Sequence, residues 1–212
     1  MIGPLCMMLA LFTVILGPQM MRNDLRQDLA RLAVLKTWPV RGATLVRGEV
    51  LAPAVVLIAI AWMLVVVAMS VPSRGFLGGA FAAIDARLAY GVAAALVLPG
   101  IILMQVLVQN GIAVMFPAWV TIGPGRARGV DVMGQRMFML AGVMVVLLIA
   151  VVPAAIVAGM VAWTERAVTH RLFVVPPAVA AASVLFAQAF LGSEALGRVL
   201  DRTDISAIEP EG

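Results

Sequence analysis

Five long apolar runs, each free of Asp, Glu, Lys and Arg, dominate the chain. They cover residues 1–21, 50–73, 88–125, 137–164 and 172–193. A helix needs about 20 apolar residues to cross the hydrocarbon layer of a bilayer, and a charged side chain in the middle of that layer is unfavourable. The pattern therefore predicts an all-α, polytopic transmembrane helix bundle. Its five predicted spans lie at about residues 2–21, 50–71, 88–110, 137–160 and 173–192.

Two segments do not fit a simple span. The third run is too long for one span and too short for two. Pro99 and Gly100 predict a kink within it. Residues 111–122, which include Trp119, predict a segment at headgroup depth, where aromatic rings are favoured. Residues 161–173 mix aromatic and charged side chains and predict a separate short helix on the membrane surface.

The composition agrees with a membrane location. Of 212 residues, 63% are apolar and 12% are charged, whereas a typical soluble domain has about 45–50% apolar and about 25% charged residues. A soluble chain of this length has too little interior to bury so much apolar surface. This excludes a soluble enzyme, a disordered tail and a disulfide-stapled secreted module. Cys6, the single cysteine, is expected to be a small apolar packing residue.

The positive charges predict the orientation. The fifteen basic residues flank the apolar runs instead of forming one patch, so nucleic-acid binding is not expected. Eleven of them follow span 1, span 3 or span 5, and four lie on the opposite side. By the positive-inside rule the N-terminus is outside and the C-terminus is in the cytoplasm. The preference for Arg over Lys is typical of a GC-rich bacterial genome, which suggests a bacterial inner membrane.

The end of the chain is predicted to be a cytoplasmic tail over residues 193–212. Its acidic residues favour a solvated, partly disordered end: Asp201, Asp204, Glu209 and Glu211. The start of the chain presents a difficulty, because span 1 must translocate its N-terminus although no positive charge precedes it. Residues 17–21 (GPQMM) do not resemble a signal-peptide cleavage site. Either the protein inserts with its N-terminus outside, or the chain lacks an upstream part, and we favour the second.

Residues 22–49 form the longest polar stretch. Asp24 and Gln27 have capping-box spacing, and the leucines that follow recur at helical intervals, which predicts an amphipathic helix. Pro39 ends this helix. One interpretation is a positive-inside loop that rests on the bilayer surface, and the other is a docking element for a cytoplasmic partner. Mixed charges favour docking over simple attraction to anionic lipid, but the pattern leaves both open.

Two segments resemble a known family. They are residues 22–53 (RNDLRQDLARLAVLKTWPVRGATLVRGEVLAP) and residues 109–137 (QNGIAVMFPAWVTIGPGRARGVDVMGQRM), the second with its FPAW, GPGRARG and MGQR motifs. Both are similar to the corresponding parts of ABC-2-type permeases of the ABC exporter family. The resemblance covers most of the chain, and its motifs are more specific than hydropathy alone.

The resemblance implies a fold and partners. In such permeases six spans form one half of the pathway, and the loop between spans 2 and 3 carries a coupling helix that docks into a separate ABC ATPase subunit. Two permease units, as a homodimer or heterodimer, are expected. The first span here would correspond to a second span, so at least one upstream span is absent. The residues of the 22–49 loop expected to dock the ATPase are Asp24, Arg26, Asp28, Arg31, Lys36 and Trp38.

The chain shows no motif for chemistry of its own. Lys36, the single lysine, lacks the glycines of a phosphate-binding loop. The single histidine, His170, cannot form a zinc-binding HExxH pair. No enzymatic activity and no cofactor are therefore expected, and ATP hydrolysis is expected on the separate subunit.

Four amide side chains within the apolar runs are candidates for helix packing or for a substrate pathway: Gln105, Gln109, Asn110 and Gln188. We expect Gln105 to hydrogen-bond across to another helix, a structural role that is favoured over substrate contact. Ion-coupled carriers usually hold charged residues within their spans. Here the charges lie at or beyond the span edges, which favours a hydrophobic or bulky substrate.

These observations lead to one main hypothesis and two alternatives. The chain is expected to be the permease subunit of an ATP-driven exporter, coupled through residues 22–49 to the ATPase. A non-transporting membrane anchor or assembly protein is the first alternative, and a truncated permease fragment is the second.

Overall fold

The helices account for nearly all of the chain that the structure describes. A computed structural model describes residues 2–21, 39–71, 84–115, 130–169 and 173–202, which form five α-helices and no strand. In chain order the helices are α1 (Ile2–Met20), α2 (Gly42–Ser70), α3 (Ile84–Met115), α4 (Val130–Thr169) and α5 (Val175–Arg202). The predicted all-α class is confirmed for this part of the chain.

Four of the described helices are long and apolar enough to cross a membrane. They comprise α2, the Ile84–Ile112 part of α3, the Ala141–Thr169 part of α4, and α5. The apolar part of α1, Leu5–Met20, is shorter. This is the architecture of a multi-pass membrane protein. The fifth span, at α1, and the orientation of the termini stay predictions.

The helices extend past the predicted span edges. α2 begins at Gly42, not near residue 50, and α5 ends at Arg202, not near residue 192. Charged residues mark the edge of the hydrocarbon layer but do not end a helix, because Arg and Glu are good helix formers. The 40 residues of α4 have a length of about 60 Å, about twice the hydrocarbon thickness.

One prediction about a surface segment is wrong. Residues 161–169 do not form a separate helix but continue α4, since neither Gly nor Pro interrupts the chain between Gly159 and Thr169. The predicted cytoplasmic tail at 193–212 begins as helix, since residues 193–202 are the last turns of α5, and its remaining residues lie outside the described residues. Of the predicted headgroup segment at 111–122, the residues up to Met115 belong to α3, and the others lie outside the described residues.

The centre of the bundle is formed by α2, α3 and α5. α2 packs against α1, α3 and α5, and α5 packs against α3 and α4, so that α1 and α4 occupy outer positions. Ala54 and Ala61 of α2 are fully buried, and such small residues allow close helix contact in membranes. Fully buried large side chains come from all three central helices: Val46, Ile102 and Leu185.

The outer helices expose large apolar side chains. Along α4, Leu148, Met160 and Trp163 are each more than 60% exposed. Contiguous apolar surface of this kind is rare on soluble monomers, whereas lipid acyl chains cover it without penalty. The described surface therefore fits the membrane location that the composition predicts.

Candidate functional site

The beginning of α2 and the end of α5 are joined by polar contacts at one end of the bundle. We name the residues involved the α2–α5 junction: Gly42, Ala43, Arg47, Phe190, Ser193, Glu194, Gly197 and Asp201. The junction residues of α5 follow one another at intervals of three or four residues, except that Ser193 and Glu194 are adjacent. Such spacing places them along one side of the helix. The first turns of α2 lie against this side.

Asp201 caps α2 from the neighbouring helix. Its Oδ1 accepts a hydrogen bond from the backbone N–H of Gly42 at 3.0 Å. The N-cap residue of α2, Arg41, makes no side-chain cap hydrogen bond. Because the first amides of a helix lack intrahelical acceptors, and because a carboxylate is favourable at the positive end of the helix dipole, Asp201 takes over the capping role.

Arg47 makes three contacts with α5. Its Nη2 lies 2.8 Å from Glu194 Oε2, its Nε donates to Ser193 Oγ at 3.2 Å, and its guanidinium carbon lies 4.3 Å from the centroid of the Phe190 ring. The Arg47 and Glu194 side chains are 34% and 39% exposed, so solvent weakens the ion pair. The geometry of three simultaneous contacts nevertheless fixes the position of α2 relative to α5.

Two glycines allow the backbones of α2 and α5 to meet. A Cβ atom on Gly42 would lie 2.6 Å from the carbonyl oxygen of Gly197. A Cβ atom on Gly197 would overlap the backbone nitrogen and Cα of Ala43. Since the neighbouring atoms are backbone atoms that cannot rotate away, any side chain at either position forces the helices apart.

A second polar feature lies inside the bundle, on α3. Gln105, Gln109 and Asn110 are all buried. Gln105 Nε2 donates to the backbone carbonyl of Ile15 in α1 at 2.7 Å, whereas Asn110 Nδ2 donates to Val106 O within α3 at 3.0 Å. Among the described residues, the buried Oε1 of Gln105 has no hydrogen-bond partner.

Gln188 of α5 resembles Gln105 in one respect. Its Oε1 is buried and has no hydrogen-bond partner among the residues that the structure describes. The side chain as a whole is half-buried. An amide oxygen without a donor is unfavourable in an apolar environment, so these two oxygens are the described amide groups most able to accept a hydrogen bond from a bound molecule.

Replacement of Gln105 by leucine is expected to change the unfolding free energy by less than about 1 kcal/mol, a typical value for interhelical hydrogen bonds in membranes. The substitution removes the bond to Ile15, but it also removes the unpaired oxygen, and the two effects oppose each other. Gln105→Ala is expected to be more destabilising, because it also leaves a cavity. Reversible unfolding by SDS in bicelles measures both variants, and a leucine variant as unstable as the alanine variant contradicts this balance.

The six residues predicted to dock a partner lie outside the described residues: Asp24, Arg26, Asp28, Arg31, Lys36 and Trp38. The structure therefore shows where their loop enters the bundle, at Gly42, but not how they are arranged. Their role stays a prediction.

The junction is not evident from the hydropathy pattern. The sequence pattern places Arg47 in the 22–49 loop and among the basic residues that predict the orientation, and it places Ser193 and Glu194 in the predicted tail. One available signal was the three- to four-residue spacing of Glu194, Gly197 and Asp201, which indicates a continuing helix face. A second was the predicted topology, which places both segments on the same side of the membrane.

The junction is suited to holding two helices together. Arg47 pairs with Glu194, and Asp201 caps α2. No group of three or more His, Cys, Asp or Glu able to hold a metal ion occurs within the described ranges. The buried amides of α3 form a separate polar region within the apolar interior. No family model, no curated protein and no solved structure matches the chain.

Proposed function

We propose that the chain is the permease subunit of an ATP-driven exporter of the ABC-2 type, located in a bacterial inner membrane. Residues 22–49 couple it to a separate ATPase subunit. The observation that supports this proposal best is the α2–α5 junction, because it ties the end of the proposed coupling loop to two central helices. The resemblance in residues 22–53 and 109–137 supplies the family.

The position of α2 explains how the loop acts on the bundle. Trp38, the last of the proposed docking residues, lies four residues before the start of α2. A helix transmits displacement along its axis, so a push on the loop reaches α2 directly. Because α2 packs against α1, α3 and α5, and because Arg47 holds α5, the displacement is shared by the centre of the bundle.

The uncharged interior of the bundle fits a transporter that takes its energy from a partner subunit. The buried polar side chains of the described residues are Gln105, Gln109, Asn110 and Ser193, and none of them carries a charge. Ion-coupled transporters generally use charged groups within the membrane. Amides in an apolar interior fit a hydrophobic or bulky substrate, whose movement is driven by ATP hydrolysis on the partner subunit. The transport unit contains two permease chains.

Charge reversal in the loop tests the proposed docking. The Asp28→Lys/Arg31→Glu variant keeps the net charge but inverts both proposed contacts, so the ATPase subunit is expected to dissociate, with at least a ten-fold loss of co-purified subunit. The matched control is Arg202→Glu/Asp204→Lys, which also keeps the net charge and lies on the same predicted side of the membrane. The measurement is co-purification from the native host through a C-terminal tag, with mass spectrometry of the bound proteins.

The outcomes separate the candidate functions. An ATP-binding-cassette subunit that binds the wild type and the control, but not the loop variant, supports the exporter. A different cytoplasmic protein bound through the loop supports a membrane anchor or assembly protein instead. If the loop variant retains the ATPase subunit and export, the assignment of docking to Asp28 and Arg31 is wrong.

A further inference from the structure

Trp62 lies in the C-terminal half of α2 (Gly42–Ser70), within the apolar run that predicts a span at about residues 50–71. Its side chain is 48% exposed, and its indole Nε1 donates a hydrogen bond to the backbone carbonyl of Ala95 in α3 at 2.9 Å. Tryptophan normally concentrates at the two interfaces of a membrane, because its N–H then reaches water or headgroups. Within an apolar span the N–H needs a protein acceptor.

The acceptor is a carbonyl that its own helix leaves free. In an α-helix the carbonyl of a residue accepts the N–H of the residue four positions later, and the residue four positions after Ala95 is Pro99. Proline has no N–H. The α3 helix nevertheless runs through Pro99 from Ile84 to Met115, so the Ala95 carbonyl lacks its helical donor.

An unpaired carbonyl is unfavourable in hydrocarbon, where no water replaces the missing donor. Proline within a membrane helix is tolerated when a neighbouring helix pairs the freed group. The Trp62 indole N–H replaces the missing donor to the Ala95 carbonyl. It is a side chain of the adjacent helix, so the pairing depends on how α2 and α3 are aligned.

We infer that Trp62 is the substitute hydrogen-bond donor for the turn that Pro99 interrupts, and that this bond holds α2 and α3 in one register. A slide of α2 by one helical turn, about 5.4 Å, leaves both the Ala95 carbonyl and the indole N–H unpaired. The bond is therefore a latch between the two helices. The latch does not depend on the transport function proposed above.

A double-mutant cycle tests the latch. Trp62→Phe keeps an aromatic ring but removes the N–H. Pro99→Ala returns an N–H to position 99, which supplies the Ala95 carbonyl with its helical donor. In the wild-type background we expect Trp62→Phe to shift the unfolding equilibrium in bicelles towards the unfolded state by about three- to fifteen-fold, the range of interhelical hydrogen bonds in membrane proteins. In the Pro99→Ala background we expect less than a two-fold shift.

An equal shift in both backgrounds overturns the inference, and so does the absence of a shift in the wild-type background. A spectroscopic readout avoids dependence on unfolding. In the NMR spectrum of the chain with labelled indole nitrogens, the Trp62 N–H signal is identified by its loss in Trp62→Phe. We expect Pro99→Ala to move this signal upfield, because the restored amide competes for the carbonyl. A signal that does not move contradicts the proposed role.

Discussion

Replacement of Gly197 by leucine is expected to abolish the native bundle. A Cβ atom at this position already overlaps the backbone of Ala43, and a branched side chain cannot be accommodated by rotamer changes. The end of α5 then separates from the start of α2, and the cap from Asp201 to Gly42 and the Arg47–Glu194 pair are lost together. The expected result is aggregation or a several-fold loss of monodisperse protein in size-exclusion chromatography after mild solubilisation.

A smaller substitution at Gly197 is expected to have a moderate effect that can be measured on folded protein. Gly197→Ala is expected to lower the unfolding free energy by about 1–3 kcal/mol, the usual range for overpacking. Gly48→Ala is the matched control, because Gly48 directly follows Arg47 in α2 but a Cβ atom there meets no atom of a neighbouring helix within 4 Å. That control is expected to be neutral or to stabilise the helix by up to about 1 kcal/mol. Thermal unfolding followed by circular dichroism measures both, and a Gly197→Ala variant as stable as the wild type contradicts the close approach.

The existence of the helices was predictable because hydrocarbon imposes a simple rule on sequence. A segment that crosses a bilayer must be apolar over about 20 residues, and four of the predicted spans largely coincide with helices that are long and apolar enough to do so. The helix ends were not predictable in the same way. Hydropathy reports the edge of the hydrocarbon layer, and α2 and α5 continue past it through Arg47 and Glu194.

The contacts between helices could not be predicted from periodicity. Gln105 was a candidate for interhelical hydrogen bonding because an amide in an apolar run needs a partner, but nothing in the sequence identifies the carbonyl of Ile15 as its acceptor. Pro99 likewise predicted a kink, whereas the donor from Trp62 becomes evident only when α2 and α3 lie side by side. Such pairings depend on packing between segments that are distant in sequence.

Replacement of Arg47 by glutamate is expected to destabilise the bundle by about 1–2 kcal/mol, with a larger effect at low salt. The variant loses the ion pair with Glu194 and the stacking on Phe190, and it places two carboxylates together. The double variant Arg47→Glu/Glu194→Arg restores an opposite-charge pair and is expected to recover part of the loss. Unfolding by SDS in bicelles at two salt concentrations measures these effects.

Arg198→Glu is the control that separates a specific junction from a general charge effect. It makes the same change of charge near the same carboxylate, but Arg198 lies 3.9 Å from Glu194 and is 71% exposed, so we expect little change in stability. Equal losses of stability for Arg47→Glu and Arg198→Glu contradict the junction.

In the proposed complex, Arg47→Glu is further expected to reduce export while the ATPase subunit stays bound, because the loop still docks but its displacement no longer reaches α5. Loss of the subunit itself in this variant would instead place Arg47 within the docking surface.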